Sequence, residues 1–297
     1  MSNERKQARL ALLFSSLIWG IAPPVIKYTL NFLSPFSFLF YRFLFASFFV
    51  IIPFYLKIKK NPPSKKDWFF YLFLGFLCSP LNLGFLFLGI NRTTAIDASL
   101  ISIISPILII VAGAIFLKEN VTKVEKIGIF FTFIGTVLTI IQPLWESHNH
   151  PGKNIEGNLL VLIGTLVWVI FVILSKKLKH LDPFVLTASS FFVGLVCFSP
   201  QIIFSPTPLP APALPGVLFM AIFSSIFAYF AYLFGLSKIE ASEATVFTYL
   251  QPVFAIPVSL LFLNEKITLP FFLGATLIIL GVFICEHQPE IFKLKQP

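Results

Sequence analysis

The sequence has few charged side chains: Asp, Glu, Lys and Arg make up only 12% of its 297 residues, against about 25% in an average soluble domain. It has only four His and three Cys, so a metal centre or a disulfide framework has few residues to draw on. Apolar residues make up 57% of the chain and include 38 Phe. A soluble protein of this size still exposes roughly a quarter of its unfolded surface to water. The composition therefore excludes a soluble enzyme, a nucleic-acid-binding protein and a disordered chain, and indicates that a lipid bilayer surrounds most of the protein.

Ten apolar runs divide the chain. Each is close to the ~20 residues that cross the hydrocarbon core as a helix, and longer than the ~10-residue alternating runs of barrel strands. The longest connections, 57–67 and 144–156, leave no room for a soluble catalytic domain. The sequence therefore predicts an all-α integral membrane protein with ten transmembrane helices. The predicted helices cover residues 10–26, 35–56, 68–90, 96–117, 124–143, 157–175, 184–204, 214–236, 244–263 and 268–285.

Lysine and arginine are distributed unevenly among the connections. With a cytoplasmic N-terminus, 17 of the 22 basic residues fall in cytoplasmic segments, four in outer segments and one, Arg42, within a span. Cytoplasmic loops of membrane proteins collect Lys and Arg. Both termini are therefore predicted to be cytoplasmic, in a multi-pass protein of the plasma (inner) membrane. This topology explains the net charge of +9 without a nucleic-acid partner.

The sequence repeats itself with an offset of 146 residues over the third to fifth predicted helices, and with an offset of 149 over the first. Shared apolar composition would align scattered Leu and Phe, but it would not align Gly, Pro, Glu and Thr in one register. A duplication is therefore predicted. The matched pairs are Gly89/Gly235, Ala95/Ala241, Ala98/Ala244, Pro106/Pro252, Glu119/Glu265, Thr122/Thr268, Gly128/Gly274 and Gly135/Gly281, then Trp19/Trp168 and Lys27/Lys176.

Each half of the duplication would contain five helices. Because five is odd, the second half would enter the membrane from the opposite side and form an inverted repeat. Inverted repeats are typical of secondary transporters, whose substrate site lies near the bilayer midplane between the repeats. The predicted units are the first repeat (1–143), an outer linker (144–156), the second repeat (157–285) and a cytoplasmic tail (286–297).

Polar and aromatic side chains share faces of several predicted helices at spacings of three, four and seven residues. Together they would line a cavity with aromatic walls and a few polar groups, which is typical of small-molecule pockets. For a single Ser or Thr, helix packing is an equally simple explanation. The candidate substrate-binding residues are Trp19, Arg42, Asn82, Ser102, Trp168, Tyr229, Tyr232, Thr248, Tyr249 and Gln251.

Charged side chains within a span are costly because the bilayer core contains no water to solvate them. Arg42 lies about eight residues into the second predicted helix, or about 12 Å at ~1.5 Å per residue. A charge at depth costs at least ~2.5 kcal/mol and usually lines a cavity or pairs, although a long side chain can also snorkel to the surface. We expect Arg42 to bias the cavity towards a carboxylate or a phosphate. Lys27, at the outer end of the first helix, is interpreted as snorkelling.

Prolines interrupt the predicted helices at equivalent places in the two halves. Pro106 and Pro252 each leave a backbone carbonyl without its helical partner, and they are predicted hinges, with a tolerated packing kink as the alternative. Glu119 and Glu265 follow the fourth and ninth helices and are interpreted as turn-capping residues, with a proton-coupling role as the alternative. Matched glycines are predicted to allow close helix packing: Gly128, Gly135, Gly274 and Gly281.

As an ordered set, these residues resemble the EamA family of the drug/metabolite transporter superfamily. The resemblance is carried by Trp19-Gly20 with Lys27, by Arg42 with Ala46, and by the series Ala95, Ser99, Pro106, Leu117, Glu119, Gly128 and Gly135. It implies a ten-helix secondary transporter or exporter of amino acids, nucleotide-like metabolites or drugs. It also implies a central cavity walled by helices one to four and six to nine. The second half departs from the pattern, with Val169 at the position equivalent to Gly20 and Ser190 near that of Arg42.

The predicted function is therefore a permease or exporter of a small organic metabolite, such as an amino acid or a nucleotide-like compound. Proton-coupled antiport, exchange and facilitated efflux stay open, and so do a membrane-embedded enzyme, a lipid-handling protein and a receptor-like protein. No P-loop is present, so ATP-driven pumping is not expected. No cofactor or metal is expected either, because His148 and His150 supply only two ligands. The expected partners are a small-molecule substrate and the lipid bilayer, with the protein a monomer or a loose homodimer.

Overall fold

The computed structural model describes residues 3–117, 123–144, 151–178, 180–239 and 247–286, and all regular elements in these ranges are helical. The predicted all-α membrane class is confirmed, because six helical stretches are long and apolar enough to span a bilayer. The count of ten spans and the sides of the termini stay predictions. The six stretches are Glu4–Thr29, Pro35–Lys60, Lys65–Arg92, Asn154–Lys177, Pro183–Phe204 and Ala211–Lys238, and shorter apolar helices cover Ala95–Ile109, Lys126–Ile141, Gln251–Phe262 and Leu269–Gly281.

Thirteen α-helices, numbered here in chain order, make up these stretches. They are α1 (Asn3–Thr29), α2 (Pro35–Lys60), α3 (Lys65–Phe76), α4 (Gly84–Arg92), α5 (Ala95–Ser102), α6 (Ser105–Leu117), α7 (Lys123–Ile141), α8 (Pro151–Lys177), α9 (Pro183–Phe204), α10 (Leu214–Leu218), α11 (Ala228–Lys238), α12 (Gln251–Phe262) and α13 (Leu269–Glu286). Two π-helical segments, Leu77–Leu83 and Phe219–Phe227, join α3 to α4 and α10 to α11.

Polar capping residues fix where several helices begin. Ser34 caps α2 by accepting a hydrogen bond from a backbone N–H of the first turn, and Pro35 occupies the first helical position, where its missing N–H costs nothing. Ser64 and Asp67 form a capping box at the start of α3. Asp182 caps α9 by accepting from two backbone N–H groups. These caps satisfy the free backbone donors at the points where the helices start.

Extensive helix packing joins the residues before 145 to those after 150. Helix α2 packs on α9, and α7 packs on α13. Helix α1 packs on α11, and α4 packs on α8. The repeat offsets relate these last two pairs, because α1 corresponds to α8 and α4 corresponds to α11. The interface between the halves is therefore built from equivalent elements.

Glycines allow α7 and α13 to approach closely. A Cβ atom added to Gly135 would lie 2.8 Å from the carbonyl oxygen of Gly274 and 2.8 Å from a side-chain carbon of Ile278. A Cβ atom on Gly274 would lie 2.6 Å from the Thr139 hydroxyl oxygen. The predicted role of Gly135 and Gly274 in close helix packing is confirmed.

The two predicted hinge prolines lie at breaks in the helical path. Helix α5 ends at Ser102, and Pro106 is the second residue of α6. The Ser105 hydroxyl donates to the Ser102 carbonyl oxygen at 2.9 Å, so it replaces the N–H that Pro106 lacks. In the second half, Pro252 is the second residue of α12, directly after a short 3₁₀-helix, Phe247–Leu250. The breaks are observed, and the hinge function of the two prolines stays a prediction.

Both π-helical segments lie in the third helical stretch of their half. The offset of 146 places residues 77–81 on residues 223–227, so the two segments overlap in the repeat. A π-helix is rare and is found frequently at functional sites. Its wider turn changes which side chains share a face. The repeated placement indicates that the widened turn belongs to the duplicated architecture.

Two equivalent lysines tie the first helix of each half to the third. The Lys27 Nζ donates to the carbonyl oxygens of Ile90 at 2.8 Å and Thr93 at 2.5 Å, around the end of α4. The Lys176 Nζ donates to two carbonyl oxygens around the end of α11, both at 2.8 Å. A cation next to a helix C-terminus is favourable because it complements the helix dipole. The Lys27 ammonium therefore binds the end of α4, and the expectation that it snorkels to the membrane surface is corrected.

These two lysine contacts lie at opposite ends of the helix bundle. Glu4, at the start of α1, pairs with Lys238, at the end of α11, with 3.6 Å between Oε2 and Nζ. Lys27 lies in the last turn of the same helix. A rise of ~1.5 Å per residue makes α1 about 40 Å long. We call the two ends of the bundle the Lys27 end and the Lys176 end.

Candidate substrate cavity

A cavity of about 120 Å³ lies between the two halves of the chain. Helices α1, α2, α4, α5 and α6 contribute side chains from the first half, and α8, α11 and α12 contribute side chains from the second. Residues of both π-helical segments also reach it. The lining residues are Trp19, Ala22, Pro23, Ile26, Arg42, Asn82, Leu83, Leu86, Phe87, Ser99, Ser102, Ser105, Thr165, Trp168, Met220, Ser224, Tyr229, Thr248 and Gln251.

The structure brings most of the candidate substrate-binding residues to this cavity. Tyr232 lies behind the wall, with its ring 5.0 Å from that of Trp19 between centroids. The Tyr249 side chain lies outside the described residues. Pro106 and Pro252 are buried near the cavity without lining it. Eight of the ten candidates line the cavity: Trp19, Arg42, Asn82, Ser102, Trp168, Tyr229, Thr248 and Gln251.

Three aromatic rings form one wall of the cavity. The Trp19 and Trp168 rings meet edge to face with 5.7 Å between centroids, and Tyr229 lies 5.1 Å from Trp19 and 6.1 Å from Trp168. The Trp19 indole N–H donates to the Ser224 carbonyl oxygen at 3.2 Å. Edge-to-face pairs of this kind contribute about 0.5–1.5 kcal/mol beyond their area burial. Each half supplies one of the two equivalent tryptophans, so the wall crosses the interface.

Arg42 is the one charged residue among the side chains that line this cavity, and only 1% of its surface is exposed. Its Nε donates to the Ser225 hydroxyl at 2.7 Å, and that hydroxyl donates to the Met220 carbonyl oxygen at 2.9 Å. The Arg42 Cζ lies 5.5 Å from the Phe43 ring centroid and 5.8 Å from that of Phe87. Among the described residues, none forms a hydrogen bond with its Nη1. The guanidinium is therefore fixed at one nitrogen and unsatisfied at another.

Three hydroxyl groups of the cavity lining use their protons within their own helices. The Ser99, Ser102 and Thr165 hydroxyls donate to carbonyl oxygens four residues earlier in their own helices, at 2.7–2.9 Å. Such back-bonding uses the hydroxyl proton and leaves oxygen lone pairs. The Asn82 amide donates to the Gly164 carbonyl oxygen at 2.9 Å, which joins the two halves. The cavity thus combines one cationic donor with several hydroxyl acceptors.

Sequence reasoning did not identify the groups that hold Arg42 in place. Helical spacing puts Ser225 four residues before Tyr229, on the same face, and that spacing was the available signal. The contact between Ser225 and Arg42 depends on how α2 packs against the other half, which spacing does not report. Phe87 is one of 38 Phe residues, and nothing in its sequence context distinguishes it.

Glu265 connects the two halves at the Lys27 end. Its carboxylate accepts hydrogen bonds from the backbone N–H groups of Ala95 at 2.7 Å and Ile96 at 3.0 Å, at the start of α5. Burial raises the pKa of Glu265 above its usual value, although the two N–H donors and the nearby Lys27 ammonium act in the opposite direction. Glu265 therefore caps a helix of the other half, and its interpretation as a cap of its own turn is corrected. Glu119 lies outside the described residues.

At the Lys176 end, more exposed polar pairs join the halves. The Lys57 Nζ lies 2.9 Å from an Asp182 carboxylate oxygen, and the His180 Nε2 lies 3.2 Å from an Asp67 carboxylate oxygen. The Asp182 backbone N–H donates to the Tyr71 hydroxyl at 2.8 Å. Solvent-exposed ion pairs contribute little, typically about 0–1 kcal/mol. These contacts are therefore weaker links than the half-buried Glu265 carboxylate.

Comparison with known proteins places the chain among membrane transporters. The model of the EamA-like transporter family matches residues 7–141 and again residues 155–285. An uncharacterized transporter of Archaeoglobus fulgidus is 29% identical, over 95% of this chain and 99% of its own length. The uncharacterized transporter YyaM of Bacillus subtilis is 29% identical, over 96% of this chain and 95% of its own length. A solved crystal structure with 16% identity superposes with a TM-score of 0.68, over 93% of this chain and 94% of that one, and shows the same fold.

Proposed function

Because the chain belongs to the EamA-like transporter family, within the drug/metabolite transporter superfamily, we propose that this membrane transporter moves a small organic metabolite by alternating access of two inverted repeats. An amino acid or a nucleotide-like compound is the expected kind of substrate. The observation that carries the proposal is the cavity between the halves, where Trp19 and Trp168 meet at one wall. Secondary transporters with inverted repeats bind their substrates at such a place.

Inverted repeats at residues 1–143 and 157–285 are supported by the lysine contacts. Lys27 and Lys176 are equivalent in sequence, and each binds carbonyl groups around the end of the third helical stretch of its half. The two contacts lie at opposite ends of α1, which is the arrangement that an inverted pair requires. The family model also matches once in each half. The distribution of Lys and Arg supports the further proposal that both termini face the cytoplasm, across the plasma membrane.

Alternating access requires the contacts at the two ends to open in turn. In this mechanism the bonds of Glu265 to α5 break when the Lys27 end opens. The Lys57–Asp182 and Asp67–His180 pairs break when the Lys176 end opens. The helix breaks at Pro106 and Pro252 serve as hinges, because a proline removes a backbone hydrogen bond that would otherwise stiffen the helix.

Reconstitution in liposomes tests the proposed function. Vesicles loaded with single metabolites should show saturable counterflow of at least one labelled metabolite, and a matched imposed pH gradient distinguishes proton coupling from exchange. Trp168→Ala should reduce the flux, whereas Trp68→Ala, at a packing site away from the cavity lining, should retain it. Chemical conversion of the metabolite or of the vesicle lipids, without counterflow, would favour the membrane-embedded enzyme or lipid-handling protein instead.

A further inference from the structure

We propose that Arg42 binds the carboxylate of a small organic acid or amino acid, and that the transporter therefore prefers carboxylates to the matching amides and amines. The inference rests on the proposed function and narrows its substrate class. Within the described part of the chain, the Arg42 guanidinium has an unsatisfied hydrogen-bond donor at the cavity. Arg42 lines the cavity, is 1% exposed, and keeps an Nη1 without a hydrogen-bond partner among the described residues.

The buried Arg42 guanidinium would be stabilised by a counter-ion. Leaving a buried charged donor unsatisfied costs more than leaving a neutral donor unsatisfied, and a buried charge without its counter-ion is strongly destabilising. The described residues include no carboxylate that forms an ion pair with Arg42, and the cavity lining contains no Asp or Glu. The Phe43 and Phe87 rings stabilise the cation only partly. A bound anion would supply the missing charge.

The hydrogen bond to Ser225 sets the direction from which an anion can bind. It occupies the Arg42 Nε at 2.7 Å. The Nη1 has no hydrogen-bond partner among the described residues, and the Nη pair of an arginine can bind a carboxylate with two parallel hydrogen bonds. Ser225 is itself held by the Met220 carbonyl oxygen within the π-helical segment Phe219–Phe227. The π-helical turn of the second half therefore holds Ser225, and Ser225 in turn holds Arg42 of the first half in position.

Charge and size both favour a carboxylate over a phosphate. The single cation of the lining is neutralised by one carboxylate, whereas a phosphate monoester carries about −1.5 to −2 at neutral pH. The cavity of about 120 Å³ is also small, since pockets for drug-sized ligands measure about 300–1,000 Å³. A small carboxylate suits this volume better than a nucleotide-like compound does. The substrate class therefore narrows to small carboxylates with an apolar part for the Trp19 and Trp168 wall.

An amine without a carboxylate would meet the wrong charge. Its ammonium would lie close to the Arg42 guanidinium, and like charges repel strongly where water is excluded. The ammonium of an amino acid differs, because Arg42 pairs with the carboxylate and the Ser102 and Thr165 hydroxyl oxygens can accept from the ammonium. We therefore expect carboxylates to bind best, amides less well and amines least.

Ligand titrations of the intact protein in detergent test this order, with tryptophan fluorescence as the readout because Trp19 and Trp168 line the cavity. The probes are an aliphatic carboxylate, its amide, its amine, the matching amino acid and a phosphate monoester of similar size. The carboxylate should bind at least tenfold more tightly than its amide. Equal binding of carboxylate and amide would overturn the proposal, and tightest binding of the phosphate monoester would assign the site to phosphate.

Variants connect the preference to Arg42. Arg42→Gln should remove the carboxylate preference, and Arg42→Lys should keep part of it. Lys59→Gln is the control, since it removes an exposed cation from the same helix. If Arg42→Gln fails to fold, Ser225→Ala keeps the arginine without its anchor and should reduce the preference. An unchanged preference in Arg42→Gln or Ser225→Ala protein that elutes as a single species would contradict the inference.

Failure of this inference differs from failure of the proposed function. If counterflow occurs but amides and amines are carried as well as carboxylates, the protein is a transporter and the role of Arg42 is wrong. If carboxylates bind in the titration but no metabolite shows counterflow, the site stands and the transport proposal is wrong.

Discussion

Lys27 and Lys176 each join the first and third helical stretches within their own half, and they do so in the same way. The second helices of the two halves, in contrast, differ at the cavity. Each lysine binds two carbonyl oxygens around the end of a third helical stretch. Arg42 on α2 has no charged counterpart on α9, because the repeat offsets place it at Ala188 or Phe191, both buried and apolar. The duplicated scaffold has therefore kept its internal ties, while the chemistry at the cavity has diverged.

The divergence has a consequence for how a solute would bind. A cavity with matching walls and a single cation is asymmetric, so a carboxylate has one place to bind rather than two. The aromatic wall is the symmetric part, since Trp19 and Trp168 are equivalent. Substitutions at equivalent scaffold contacts should therefore have equal effects in the two halves. Substitution of Arg42 has no equivalent in the second half.

The lysine contacts provide the largest expected effect. Lys27→Met and Lys176→Met keep the apolar stem and remove two hydrogen bonds from a charged donor, each worth about 1.5–3 kcal/mol. Each variant should lose at least about 3 kcal/mol of unfolding free energy, measured by detergent titration. Lys59→Met is the control, because Lys59 is exposed at the end of α2. Loss in one variant alone would show that the two halves are not equivalent at these contacts.

The glycine contacts between α7 and α13 come next. Gly135→Ala and Gly281→Ala, at equivalent positions, would place a methyl group against a backbone carbonyl oxygen of the facing helix. Overpacking of this kind costs about 1–3 kcal/mol, and thermal unfolding should show it in both variants. Gly84→Ala is the matched control, since its added Cβ would come no closer than 3.9 Å to a neighbouring atom. A stable Gly281→Ala protein beside an unstable Gly135→Ala protein would break the symmetry.

The two tryptophans test the symmetric wall through ligand binding. Trp19→Ala and Trp168→Ala each remove apolar surface from the cavity wall. Loss of about 20–60 Å² of apolar contact with the ligand costs about 0.5–1.5 kcal/mol, which corresponds to a roughly two- to tenfold weaker Kd. Isothermal titration with a carboxylate ligand measures both. Similar losses would support a shared wall. A loss confined to one variant would mean that the ligand lies in one half of the cavity.

The smallest effect is expected from pH at the Lys27 end. Burial against α5 raises the pKa of Glu265 despite the nearby Lys27 ammonium. The state with Glu265 in contact therefore binds a proton more tightly than a state with Glu265 in water. As the pH falls through the raised pKa towards the usual value, the contact state should gain population, and it should lose this gain as the pH rises.

Electron–electron distances between spin labels at Asn91 and Lys266, both exposed, measure this population. The short-distance fraction should rise as the pH falls from 7.5 to about 4.5, and Glu265→Gln should remove the dependence because it no longer titrates. A short-distance fraction that falls on acidification would contradict the assigned role of burial at Glu265.

The sequence predicted the residues around the cavity better than their contacts. Helical spacing places side chains on faces, and the duplication relates faces of the two halves, so Trp19 and Trp168 could be grouped before any distance was known. Spacing carries no information on how one half approaches the other. The partner of Arg42, which is Ser225, and the helix capped by Glu265 both depend on that approach, so sequence reasoning could not supply them.

The lysine ties also bear on whether the protein can be assembled from pieces. A cut between residues 144 and 151, before α8 begins, would give two fragments, and each would carry its own tie between a first and a third helix. The pairs α2 with α9 and α7 with α13 would supply the surfaces for reassembly. Two separately translated polypeptides should therefore complement each other when co-expressed, while either one alone would expose unpartnered helix faces and be degraded.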